Sequence, residues 1–311
     1  MGTPGFAVSA LDALVKSGTN IVAVVTAPDK PAGRGLNLKE SEVKQYAVSK
    51  NIPVLQPEKL KDPVFIKTFT DLQPDLSVVV AFRMLPEVIW SAPKSGTINL
   101  HASLLPQYRG AAPINWAIIN GEAKTGVTTF FIEKEIDTGK IIGKREVDIL
   151  PDDTAEILHD KLAEVGSALL VETVEAIQHG TCVPVSQNQL SEGQALKSAP
   201  KIFRDDCRIN WNKPINEIYN FIRGLSAYPG AWTLINTPEG PKTLKIYECK
   251  PVLSVQSQVA HIWTEKAALN ISGTDGYISI QKLQLEGKKA MKAEEFLRGV
   301  RDINSLSINI K

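Results

Sequence analysis

Cysteine is scarce in this sequence, and so are the signals of membrane or secreted proteins. The three cysteines, Cys182, Cys207 and Cys249, are far apart and odd in number. Their spacing excludes a CxxC metal knuckle and argues against a disulfide framework. No apolar run approaches the roughly 20 residues that cross a bilayer. The opening Met1-Gly-Thr-Pro-Gly5 carries no basic region and no apolar stretch, so no secretory signal is expected. There are no internal repeats and no low-complexity tract. GxSxG, HExxH and Walker patterns are missing, and Gly2-Thr-Pro-Gly-Phe-Ala7 is not the GxGxxG turn of a nicotinamide-binding protein. These absences leave a cytoplasmic globular protein, with no metal and no membrane contact expected.

What is present is 311 residues with 43% hydrophobic and 22% charged side chains. That length exceeds what one hydrophobic core usefully holds, so two domains are expected. Charge is uneven. Residues 200–311 carry 16 Lys/Arg against 11 Asp/Glu, whereas residues 1–199 carry 19 against 23. A basic C-terminal third attracts polyanions, although such an excess is also common on an ordinary solvated surface.

The first part alternates β-branched runs with helical stretches. Ile21-Val-Ala-Val-Val-Thr26 and Leu76-Ser-Val-Val-Val-Ala-Phe82 read as buried strands, with Ser41 to Lys50 helical between them. Such alternation predicts an α/β, doubly wound, Rossmann-like sheet. Gly126–Ile132 and Lys140–Ile142 add strands. Asp153 precedes Glu156 by three residues, a capping-box spacing. Leu158, Leu162, Val165, Leu169, Thr173 and Ile177 then mark one buried helical face ending near Gly180. Residues 181–199 show no periodicity and read as a linker. Beyond them, Pro214 to Leu225 is amphipathic. Short strands follow at Ala231–Ile235, Thr243–Tyr247, Ala268–Ile271 and Tyr277–Ile280, separated by turn residues. They suggest a small OB-like β-barrel. The expected domains are 1–180, a linker at 181–199, and 200–311.

The most informative stretch is Thr97 to Gly110. Side chains alternate along a strand, so Asn99 and His101 share one face while Ile98 and Leu100 share the other. The C-terminal end of such a strand is where open α/β sheets bind ligands. Acyl transfer needs a donor for the developing oxyanion, a group to move the amine's proton, and something to orient that group. A neutral amide such as Asn99 suits the first task. The imidazole of His101 suits the second. Asp137, in Ile136-Asp-Thr-Gly139, is the candidate for the third. Asn-x-His on a strand is usually structural, however, and Asp-Thr-Gly is a common turn. On chemistry alone the residues define a polar triad in a crevice, and the transferred group is not readable.

Asn99-Leu-His-Ala-Ser-Leu-Leu-Pro-x-Tyr-Arg-Gly-Ala-Ala-Pro113, with Asp137-Thr-Gly139 downstream, resembles the formyltransferases that use 10-formyltetrahydrofolate. The resemblance spans the chain. It includes Gly2-Thr-Pro4, Ala27-Pro-Asp-Lys-Pro-Ala-Gly-Arg-Gly35, Gly121-Glu122, Thr125-Gly-Val-Thr128, Tyr228-Pro-Gly-Ala-Trp232 and Gly287-Lys-Lys-Ala-Met291. It implies that an amine attacks the formyl carbon. Asn99 then bonds the formyl oxygen, His101 stabilises the tetrahedral oxyanion as imidazolium, and Asp137 supports His101 and helps take the amine's proton. It assigns the folate pocket to Ser103, Leu104, Leu105 and Pro106, to Phe82, Arg83, Met84 and Leu85, and to Ile136. The implied acceptor is an aminoacylated initiator tRNA, with a sugar-nucleotide amine as the alternative. Arg34, in a Gly/Pro-flanked loop, is implied near the tRNA acceptor end, and Lys288 and Lys289 at its phosphates. A monomer is expected. The resemblance also implies an apolar central strand ahead of Gly2, so that the first strand is missing from 1–180 and a chain starting at Met1 is less stable than one extended upstream.

Overall fold

The computed structural model describes residues 1–32, 37–190, 193, 195–255, 258–265, 267–300 and 302–309. In chain order the elements used below are α1 (Gly5–Lys16), β1 (Val24–Val25), α2 (Glu42–Ser49), β2 (Val54–Leu55), α3 (Pro63–Asp71), β3 (Ser77–Val80), β4 (Thr97–His101), α4 (Pro113–Ile119), β5 (Lys124–Phe131), β6 (Ile141–Asp148), α5 (Ala155–Gln178), α6 (Ile215–Leu225), β7 (Ala231–Thr237), β8 (Gly240–Leu253), β9 (Ile262–Glu265), β10 (Ala268–Ser272), β11 (Gly276–Leu285) and β12 (Ser307–Asn309). They form two compact units. One comprises Met1–Gly110, Thr125–Asp148 and His159–Ser198; the other comprises Ala111–Lys124, Ile149–Leu158 and Ala199–Lys311.

The first unit is a mixed α/β layer. β1 and β2 pair in parallel, as do β3 and β4, while β5 runs antiparallel to β4 and neighbours β6. Local chemistry explains the helices around them. The Ser41 hydroxyl accepts the Lys44 N–H at the start of α2 (3.1 Å), and Asp62 caps α3 by accepting the Val64 N–H (2.9 Å), with Pro63 in its first turn. Ile98 and Leu100, on the face of β4 opposite Asn99 and His101, are 0% and 3% exposed. A Cβ on Gly166 of α5 would lie 3.1 Å from Leu100, so glycine lets this helix approach β4 closely.

The strands expected over 21–26 and 76–82 are shorter, because only Val24–Val25 and Ser77–Val80 find ladder partners. Met1 and Gly2 lie between them: Gly2 N–H donates to Val25 O (3.1 Å) and Val80 N–H to Met1 O (2.9 Å). Beside this bridge is a cavity of about 490 Å³. Its walls include Ile21 to Val25, Leu76 to Val78, Leu11, Leu14, Val174 and Ile177.

The second unit is an antiparallel sheet in the order β9-β10-β11-β8-β7-β12, curled around α6 into a half-barrel. Ile215, Ile218, Ile222 and Leu225 recur at helical spacing and pack with Trp211, Leu244, Ile246, Leu269, Ile271, Ile278 and Ile280. Pro214 takes the N-cap position of α6 and has no side-chain donor or acceptor to offer; the carboxylate of Asp275 accepts the Ile215 N–H instead (2.7 Å). The cap of α5 differs from the sequence expectation. Thr154 accepts the Ile157 N–H (3.3 Å), whereas Asp153 turns back to accept the Leu150 N–H (2.7 Å). Asp153 therefore stabilises the preceding turn, and the shorter hydroxyl caps the helix. No helix of the described residues is long and apolar enough to cross a membrane.

Candidate active site

β4 lies between β3 and β5, with Asn99 opposite Val79 and Phe130, and His101 opposite Thr128. This central placement fixes the face that both polar side chains share. Asn99 is half-buried, and among the described residues its amide has no hydrogen-bond partner. A free amide donor therefore sits on a rigid strand, as an oxyanion-stabilising group requires.

His101 is 7% exposed. Its Nε2 is 2.9 Å from the carbonyl oxygen of Tyr108. A carbonyl only accepts, so Nε2 carries the proton and Nδ1 is the ring nitrogen left for chemistry. Phe130 meets the imidazole edge-on with centroids 6.5 Å apart. Nδ1 faces Asp137 Oδ2 at 3.9 Å. That oxygen also accepts the Gly110 N–H (2.9 Å), and the Asp137 side chain is 12% exposed. The structure thus brings His101 and Asp137 together from segments 36 positions apart. Tyr108 and Asp137 both have left-handed backbones, with φ of +60° and +56°. Non-glycine residues take up this region rarely, and such conformations cluster at functional sites.

The Ser103–Pro106 loop leaves the end of β4. Ser103 and Leu105 are fully buried. Ser103 Oγ donates to Gln107 O (2.7 Å), Thr128 Oγ1 donates to Ser103 O (2.7 Å), and Leu105 N–H donates to Thr128 Oγ1 (3.1 Å). Their polar groups are used to shape the loop; Leu104 is the more exposed member. Phe82 to Leu85 leaves the C-terminal end of the neighbouring parallel strand β3, and hence the same sheet edge. Leu85 is buried and Phe82 half-buried. Arg83 directs its guanidinium to the carbonyls of Glu58 and Pro57. Met84 and Ile136 stay exposed, at 74% and 58%.

Three contributors escaped the sequence reading. The Tyr108 carbonyl sets the His101 tautomer. Thr128 ties the loop to β5, and its pairing with His101 is a cue that only strand register provides. Gln187, expected in a linker, is 2% exposed and bonded to the Asp137 loop. Arg34 lies outside the described residues. In the other unit, Lys288 and Lys289 are exposed in the turn after β11, where Lys288 N–H closes onto Leu285 O (2.9 Å).

An open α/β sheet edge bearing an unpartnered amide, a buried imidazole and a facing carboxylate suits acyl transfer. Residues 1–174 match the family described as formyl transferase, and residues 201–301 match the formyl transferase C-terminal domain. The chain belongs to the formyl transferase family. Its full-length relatives narrow the class to methionyl-tRNA formyltransferases. The one from Bacteroides thetaiotaomicron is 51% identical over 99% of this chain and 97% of its own. The one from Phocaeicola vulgatus is 54% identical over 97% of this chain and 94% of its own. Among solved structures, the fold is shared with WlaRD, a sugar 3N-formyl transferase solved in the presence of dTDP and 5-N-formyl-THF. That similarity has a TM-score of 0.63 at 21% identity, covering 93% of this chain and 97% of WlaRD.

Proposed function

We propose that this enzyme, acting as a cytoplasmic monomer, transfers the formyl group of 10-formyltetrahydrofolate to the free amino group of methionyl-initiator tRNA, giving N-formylmethionyl-tRNA for translation initiation. The observation that carries this reading is the grouping of Asn99, His101 and Asp137. Asn99 and His101 share one strand face, and Asp137 stands 3.9 Å from the one ring nitrogen of His101 not held by Tyr108.

The amine nitrogen bonds to the formyl carbon while the carbonyl π pair moves onto oxygen. Asn99 donates an N–H to that oxygen, and protonated His101 balances its charge. Asp137 accepts a proton from the attacking amine. Collapse of the intermediate restores the carbonyl and breaks the bond to the folate nitrogen, which leaves with the proton that Asp137 took from the amine. The donor's flat ring system suits exposed apolar side chains such as Met84 and Ile136, together with the partly exposed Leu104 of the Ser103–Pro106 loop. Arg34, Lys288 and Lys289 serve the tRNA, the lysines as phosphate contacts. Relatives of the same class at 51% and 54% identity support tRNA over a sugar-nucleotide acceptor.

The test is a formyl-transfer assay with charged initiator tRNA beside a mononucleotide amino sugar. Transfer is expected to the tRNA alone. Asn99→Ala, His101→Ala and Asp137→Ala should each lower the rate by at least about 100-fold. Wild-type rates in all three variants would refute the site, and preference for the sugar would refute the acceptor.

A further inference from the structure

Gln187 opens a one-turn helix, Gln187–Leu190, in a stretch that neither family match reaches. Its carboxamide makes four hydrogen bonds. Nε2 donates to the carbonyl oxygens of Asp137 and Gly139, each at 2.8 Å. Oε1 accepts from Nε and one terminal nitrogen of Arg109, at 3.1 and 2.7 Å. A carboxamide has two N–H donors and two acceptor lone pairs, so its capacity is filled. The amide cannot turn over, because its NH2 would then face a guanidinium and its oxygen two carbonyls. Beside it, Ile141 and Val185 exchange two backbone bonds of 2.8 Å, fixing the segment that carries Gln187.

The group Gln187 holds is the loop that presents Asp137. That loop is confined at both ends. Asp137 has a left-handed backbone, and a Cβ at Gly139 would overlap the Phe131 carbonyl. Arg109, on the other side of the amide, lies between Tyr108, whose carbonyl holds His101, and Gly110, whose N–H holds Asp137 Oδ2. One buried side chain therefore joins the backbone that orients the imidazole to the backbone that orients the carboxylate. We infer that Gln187 is a positioning residue for the transfer, acting through Asp137 by fixing its carboxylate opposite His101 Nδ1; this rests on the reading that Asp137 acts in the reaction.

The inference separates from a merely structural role in a double-mutant cycle. Steady-state kinetics would use 10-formyltetrahydrofolate and charged initiator tRNA. Gln187→Ala should lower kcat by about 10- to 100-fold, with both KM values little changed. Gln187→Glu keeps the shape but replaces the NH2 group by one oxygen facing two carbonyls, so its kcat should be no better. In an Asp137→Ala background, Gln187→Ala should change kcat by no more than about twofold. Should Gln187→Ala fail to fold, Arg109→Met loosens the amide without removing it and enters the same cycle. Wild-type kcat for Gln187→Ala, or a full independent loss on top of Asp137→Ala, overturns the inference. If Asp137→Ala itself keeps wild-type activity, the reading of the site fails first, and the two failures are told apart.

Discussion

Asp137 Oδ2 faces His101 Nδ1 across 3.9 Å while accepting a 2.9 Å bond from the Gly110 backbone. The gap exceeds a hydrogen bond, and the carboxylate is anchored by backbone rather than by the imidazole. With Nε2 committed to Tyr108, an unprotonated Nδ1 turns a lone pair toward a carboxylate.

The first prediction separates charge from geometry. Asp137→Asn keeps an oxygen for the Gly110 N–H but removes the negative charge and the proton acceptor. Its melting temperature should stay near wild type while kcat falls by about 100-fold or more. Circular dichroism melts beside single-turnover assays check this. A wild-type rate in Asp137→Asn would show that the charge is not used.

The second prediction concerns the loop behind that carboxylate. A Cβ at Gly139 would overlap the Phe131 carbonyl oxygen, and one at Gly126 would overlap that of Arg145. Both replacements by alanine should cost about 1–3 kcal/mol of stability, since the backbone must move. Gly139→Ala shifts the Asp137 loop, so its kcat should fall well below that of Gly126→Ala at matched stability. Denaturant melts and initial rates on the pair measure this; equal rates would detach the loop from the chemistry.

Why some of this was legible in the sequence and some was not follows from the range of the forces involved. The shared face of Asn99 and His101 follows from strand alternation, a local rule. The amphipathic Pro214 to Leu225 segment is local as well: Ile215, Ile218, Ile222 and Leu225 form its buried stripe, as helical spacing requires. The Asp137 assignment came from family resemblance, because nothing local distinguishes it from a turn. Gln187 gave no cue. It lies in a polar stretch without periodicity, and its partners are 78, 50 and 48 positions away. The α5 cap was misassigned because two adjacent capping residues, Asp153 and Thr154, compete, and the turn at Leu150 claims the aspartate.

The third prediction tests the basic surface. Lys288 and Lys289 sit exposed in a turn of the basic C-terminal part. Replacing each with alanine should weaken tRNA binding and lower the slope of log affinity against log salt by about one per lysine, leaving kcat at saturating tRNA unchanged. Filter binding at several salt concentrations reads this directly. An unchanged slope in the double variant would remove these lysines from the contact.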